Sequence, residues 1–209
     1  MPRTADHDLR RAQMAAAVHR LIAHDGLDAA TMSAVAREAG FSVGLVQHYF
    51  ASKDELLLFA YERLTADLLA RVAARTADGE AAGRSIRAIM LDCLCELLPL
   101  DPARHGEHRV SRAFQARAMD VPTAAEVAVA TAGVLRGRVA QGIENGKECG
   151  ETEAATDAEL AAVELTALVD GLADLVYREP ARAAAAGAVL ADRLTAILPG
   201  RCRHYDQPQ

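Results

Sequence analysis

Gln47 and His48 stand side by side in the stretch Thr31 to Phe50, TMSAVAREAGFSVGLVQHYF, and offer an amide and an imidazole to whatever the segment meets. A primary amide donates and accepts together. That pattern suits the N6/N7 edge of adenine, where a bidentate contact discriminates by about 1–3 kcal/mol. The His48 ring can donate to guanine or to a phosphate. Val43 and Leu45 can present apolar surface to thymine methyls, and Gly44 between them permits close approach of the backbone. Thr31, Ser33 and Tyr49 carry hydroxyls, and Lys53 an ammonium, suited to phosphate oxygens. On this reading Val43, Gly44, Leu45, Gln47 and His48 contact bases, and Thr31, Ser33, Tyr49 and Lys53 set register and affinity.

These groups share a face only if the segment forms two helices around a tight turn. Thr31 and Ser42 are helix-capping types, and Gly40 supplies the left-handed residue that ends the first helix. Ala36 is small enough for a close helix crossing. Val35, Ala39, Val46 and Tyr49 fall at helical spacing on the inward side, leaving Gln47 and His48 outward. Ser52 with Glu55 forms a capping box for a further helix from Lys53, at a position where free N–H groups and the helix dipole favour phosphate. Upstream, Leu9 to Asp25 reads as a helix with Ala16, Val18, Leu21 and Ile22 on one side, ending at Gly26. The spacing matches a helix-turn-helix whose second helix enters the major groove. An ordinary helix corner shares the pattern, and Thr31 and Tyr49 can equally serve as cap and core.

The run Gly26-Leu27, Thr31, Val35-Ala36, Ala39-Gly40, Ser42, Gly44, Val46, Tyr49-Phe50, Ser52-Lys53 and Leu56 resembles, in one register without a gap, the DNA-binding signature of the TetR family of bacterial transcriptional regulators. The segments VQHYFASKDELL and Leu168-Val169-Asp170-Gly171-Leu172 are most similar to its betaine-regulator (BetI-like) subgroup. The sequence departs from the family at Gln47, where a tyrosine is usual. The resemblance implies phosphate roles for Thr31, Tyr49 and Lys53. It also implies an all-α fold with a three-helix DNA-binding domain and a larger helical ligand-binding and dimerisation domain. The expected function is a repressor, binding a palindromic operator in double-stranded DNA as a homodimer and released by an unknown small-molecule effector, with no cofactor and no metal.

The chain has 209 residues, of which 51% are apolar and only 4% aromatic, so its core must rely on close helix packing. The expected division is a helix-turn-helix domain over 1–53, a helical regulatory and dimerisation domain over 54–200, and a mobile polar tail over 201–209. No apolar run reaches membrane-span length and no signal-peptide stretch opens the chain, so the expected location is cytoplasmic. The net charge of −6 argues against binding driven by charge alone, and residues 1–60 carry six Lys/Arg against seven Asp/Glu. Arg3, Arg10 and Arg11 form a local basic cluster. Specific, dimer-dependent binding with a modest salt slope is therefore expected.

Periodicity divides the remainder into helices over Leu56 to Ala74 and Ile86 to Leu98, then from Pro102, and a last one from Pro180. Thr123 with Glu126, and Thr156 with Glu159, read as capping boxes opening two long helices. Leu168, Gly171, Leu172 and Leu175, with Leu190 and Leu194, lie on apolar faces expected to form the dimer interface; the same periodicity also fits intramolecular core. Asp92, His108, Arg112, Phe114, Gln115 and Asp170 are candidates for a ligand pocket, beside His105 and Tyr177. A metal-enzyme alternative would use His105 and His108, but a third ligand at telling spacing is missing. A helical interaction module without DNA readout is the other alternative. Cys93, Cys95, Cys149 and Cys202 are expected as reduced thiols.

Overall fold

The structure, a computed structural model, describes residues 2–203 and the side chains of residues 6–203. Residues 204–209 of the expected tail and the side chain of Arg3 lie outside these. The described residues form nine α-helices and no strand: α1 (Pro2–Asp25), α2 (Met32–Ala39), α3 (Val43–Tyr49), α4 (Lys53–Ala81), α5 (Ile86–Cys95), α6 (Pro102–Ala118), α7 (Pro122–Cys149), α8 (Ala158–Arg178) and α9 (Ala183–Ile197). Short 3-10 turns at Leu27–Ala29 and Pro180–Arg182 precede α2 and α9.

Two compact units result. One comprises residues 1–67 and 101–128, the other 68–100 and 129–209, so α4 and α7 each contribute to both. This partition differs from a cut at residue 53, because α6 and the first half of α4 pack with the N-terminal helices.

In the first unit Met14, Val18, Val35, Ala36, Val46, Phe50 and Leu56 are almost wholly buried together. Ala16 is exposed, contrary to the expected apolar side of α1; Met14, Ala15 and Ala17 take the inward positions instead. Arg11 is no surface cation here. Its guanidinium lies 4.2 Å from the centroid of Phe59 and 5.0 Å from that of Phe50, a cation–π arrangement that covers the edge of this core. Arg10 pairs with Asp6. Tyr61 stacks on Phe114 with ring centroids 3.9 Å apart. Half-buried His19 has Nε2 2.8 Å from the Ala60 carbonyl oxygen.

In the second unit the core runs through Leu98, Ile143, Leu165, Leu190, Leu194 and Leu198. Glu96, although buried, is held by Arg71 at 3.2 Å and Arg75 at 2.9 Å. Three sequence expectations need correction. The cap of α8 is Asp157, which accepts from the Leu160 amide, and not Thr156, whose hydroxyl lies against Thr152. Helix α7 begins at Pro122, ahead of Thr123, since proline is preorganised for a first helical turn. Cys149 and Cys202 are joined in a disulfide, while Cys93 and Cys95 are in none; spacing along the chain could not show that two cysteines 53 residues apart meet.

Leu165, with no exposed surface, is central to the second unit. Leu165→Ala should cost about 2–5 kcal/mol in urea unfolding through lost burial and a residual cavity; a cost under about 0.5 kcal/mol would show that the site collapses freely. Burial pushes the His19 imidazole below its usual value of 6.5, more than the Ala60 carbonyl, Glu107 and Asp67 pull it back. Below pH 6.5 the unfolded chain takes up a proton at His19 that the folded chain resists, so this contribution to stability is full above that pH and is lost as pH falls. Thermal melts at falling pH should show a shallower decline for His19→Gln than for the wild-type chain; parallel curves would refute the assignment.

Candidate nucleic-acid interface

The turn between α2 and α3 is Gly40-Phe41-Ser42. Gly40 has φ +74°, and its amide and that of Phe41 both close back onto the Ala36 carbonyl, Phe41 at 2.8 Å. A side chain at residue 40 would be strained at that φ, so glycine sets the turn. The Thr31 hydroxyl accepts from the Ala34 amide at 3.1 Å and Ser42 from Leu45 at 3.2 Å. Both expected caps are thus formed. Inside the pair, Val35, Ala36 and Val46 are buried, while Ala39 and Tyr49 are half-buried.

The opposite side of α3 presents Val43, Gly44, Gln47 and His48, all exposed. Their spacing places them on one helical face. Leu45 is half-buried and packs against the core of the unit, so its apolar surface is shared with the fold. Thr31 and Ser33 are exposed, and the Thr31 hydroxyl keeps its own hydrogen for donation while its oxygen caps α2. Tyr49 packs edge-on against His48, with centroids 5.5 Å apart.

Lys53 is half-buried, and its Nζ donates to the Leu27 carbonyl at 3.2 Å. An ammonium has three donors, so this tether leaves donors over. The start of α4 is not an empty anion site: Glu55 takes the Ala51 amide at 2.7 Å, and the Ser52 hydroxyl takes that of Glu55. Asp54 pairs with Arg117 at 3.1 Å, which holds its carboxyl below the usual range. The Lys53 ammonium supplies a positive charge for a phosphate there. Arg20 pairs with Glu38. The cations at Arg10, Arg20 and Arg117 are therefore matched by carboxylates of the same unit.

The second unit contains an apolar cavity of about 240 Å³ whose wall includes Val72, Ile86, Ile89, Met90, Leu94, Leu135, Val139 and Val169. Thr76 in that wall donates to the Val72 carbonyl at 3.1 Å, and Thr166 to that of Ala162 at 2.8 Å, so both hydroxyls are satisfied within their helices. Glu80, Arg138, Gln141 and Asn145 also line it and are exposed. Burial pushes the Cys93 thiol up, away from thiolate chemistry.

None of Asp92, His108, Arg112, Phe114, Gln115 and Asp170 lines this cavity. Asp92 and Asp170 belong to one unit and the other four to its companion. Phe114 is stacked on Tyr61, Arg112 donates to Gln115 at 2.6 Å, and Asp92 pairs with Arg84. His105 and His108 are half-buried on α6 and belong to no metal-ligand group among the described residues.

On α8 and α9, Leu172, Leu190 and Leu194 are buried in the core of their own unit, which accounts for their periodicity without a second chain. Leu168 and Leu175 are half-buried, and Gly171 is exposed. The outward apolar face of α8 consists of Leu160, Val163, Ala167 and Gly171, and Val189 is exposed on α9.

Comparison with known proteins places this geometry. Residues 14–60 match the model for bacterial regulatory proteins of the tetR family, and residues 86–199 that for the C-terminal region of BetI-type transcriptional repressors. The HTH-type transcriptional regulator PksA of Bacillus subtilis is 34% identical over 120 residues, covering 56% of each protein, so the chain spans about half the length of this curated relative. A solved transcriptional regulator from Rhodococcus sp. Rha1 is 33% identical with TM-score 0.78, covering 91% of this chain and 97% of that one. A transcriptional regulator from Saccharomonospora viridis, solved in complex with choline, shares the fold at 23% identity and TM-score 0.76, covering 87% of this chain and 93% of that one. These matches are to regulators of transcription and not to enzymes. The capped α2–α3 pair, its outward face and the matches along both units agree: the chain belongs to the TetR family of bacterial transcriptional regulators, with a DNA-binding helix-turn-helix and a BetI-type C-terminal region.

Proposed function

We propose that the protein is a cytoplasmic, dimeric repressor that binds a palindromic operator and is released by a small-molecule effector. The observation that carries this is the exposed row Val43, Gly44, Gln47 and His48 on a helix fixed by its caps and by buried Val46. Gln47 and His48, with Val43, Gly44 and the free edge of Leu45, read bases, while Thr31, Ser33, Tyr49 and Lys53 hold phosphates. Residues 1–53 form the reading part and 54–200 the regulatory part. Because the cations at Arg10, Arg20 and Arg117 are internally paired, affinity comes from two matched half-sites more than from bulk charge. The exposed face of Leu160, Val163, Ala167 and Gly171, extended by Leu168 and Leu175, joins the two copies.

The effector enters the aliphatic cavity of the second unit. No aromatic residue lines it, so it lacks the ring cage that binds a quaternary ammonium, and its ligand is an uncharged, mainly apolar molecule. Such a ligand shifts operator binding only by preferring the conformation whose recognition helices are wrongly spaced.

Selection of bound sequences from random duplex DNA should recover a palindrome. Gln47→Ala should then relax one base position in each half-site by about 1–3 kcal/mol, and Lys53→Ala should weaken all sequences alike. No enrichment would leave an interaction module as the better reading. For the cavity, the uncharged dye N-phenyl-1-naphthylamine should bind one per chain and resist displacement by choline. Competition by choline would overturn the ligand assignment.

A further inference from the structure

The C-terminal end of the chain is fastened to the start of α5 through one buried carboxylate. Glu151, with no exposed surface, accepts from the amides of Ile86 at 2.6 Å and Arg87 at 2.9 Å, the first two residues of α5. Its own carbonyl accepts from the Gly200 amide at 2.8 Å, and the Arg87 guanidinium donates to the Leu198 carbonyl at 2.9 Å. Only glycine fits at residue 200, where a Cβ would lie 2.3 Å from the Gly150 carbonyl oxygen. The Cys149–Cys202 disulfide closes this junction from both sides, reinforced by the Arg203 amide on the Cys149 carbonyl at 2.9 Å. Ile86, Ile89 and Met90 of the helix so held are wall residues of the cavity.

We infer that Cys149 and Cys202 form a reversible thiol–disulfide modification site, acted on by small thiols and disulfides, that latches α5 and the cavity wall to the chain end. This rests on the proposed intracellular regulator, because a disulfide in a reducing compartment is characteristically a transient, sensing bond. Both cysteines are buried, so exchange requires local opening of the hydrogen bonds from the Gly200 amide to Glu151 and from the Arg203 amide to Cys149. In reduction the thiolate of one glutathione attacks one sulfur of the bond, forming a mixed disulfide and releasing the other cysteine as thiolate. The thiolate of a second glutathione then attacks the glutathione sulfur of that mixed disulfide and displaces the first cysteine, giving oxidised glutathione, and the protons of the two glutathione thiols pass to the two protein thiolates. With the bond open, Glu151 and residues 198–203 keep their hydrogen bonds and the burial of Leu198 but lose the covalent tie.

The test equilibrates the full chain across ratios of reduced to oxidised glutathione, traps free thiols by alkylation and reads the Cys149–Cys202 peptide by mass spectrometry. Hydrogen exchange at the Ile86 and Arg87 amides is followed in parallel, with Cys202→Ser as a permanently open form. The expected result is full reversible conversion, with these amides exchanging at least tenfold faster in the reduced chain and in Cys202→Ser. A linked peptide that never forms, one that persists in excess reduced glutathione, zinc retained by the reduced pair with Glu151, or unchanged exchange would each overturn the proposal. Operator binding, measured on the same samples, is a separate readout: its absence in both redox forms counts against the repressor and leaves the latch standing.

Discussion

The contact of α3 with α2 across Ala36 and Val46 is the constraint on which the DNA-reading side of the molecule depends. Helices of eight and seven residues are unstable alone, because nucleation costs more than so few hydrogen bonds return. Burial of Val35, Ala36 and Val46 supplies what propensity cannot, and the Thr31 and Ser42 caps each add about 1 kcal/mol. Gly40 then fixes the angle at which α3 leaves the turn. With one face of α3 committed to this core, Gln47 and His48 have only the outward direction left.

The exposed face of α3 was legible because caps, turn glycine and inward apolar positions are all local signals. Thr31, Gly40, Ser42, Val35 and Val46 each sit within a few residues of the feature they create, and each took the expected part. What failed was long-range. Arg11 looked like a surface cation until Phe50 and Phe59 came beneath it, and no local signal showed that the Lys53 ammonium also reaches the Leu27 carbonyl. Leu172, Leu190 and Leu194 repeat at the period of a buried face, but periodicity does not say whether a helix of the same chain or of another covers it.

The same distinction explains the cavity. Its wall draws on α4, α5, α7 and α8, aliphatic residues from distant parts of the chain that no spacing rule gathers. Polar residues were the natural candidates because they carry chemistry, yet those chosen are occupied with partners such as Arg84 for Asp92. Glu151 passed unnoticed for the opposite reason: a glutamate after a glycine looks like ordinary loop surface, and only the fold shows it buried and capping a helix that starts 65 residues earlier.

The central claim is that the outward face of α3 reads bases. A structure of the full chain bound to a selected duplex tests it most directly. The account predicts α3 in the major groove with the Gln47 amide within about 3.2 Å of a base edge and the Lys53 ammonium at a phosphate. Duplex bound elsewhere, with Gln47 and His48 facing solvent, would contradict it.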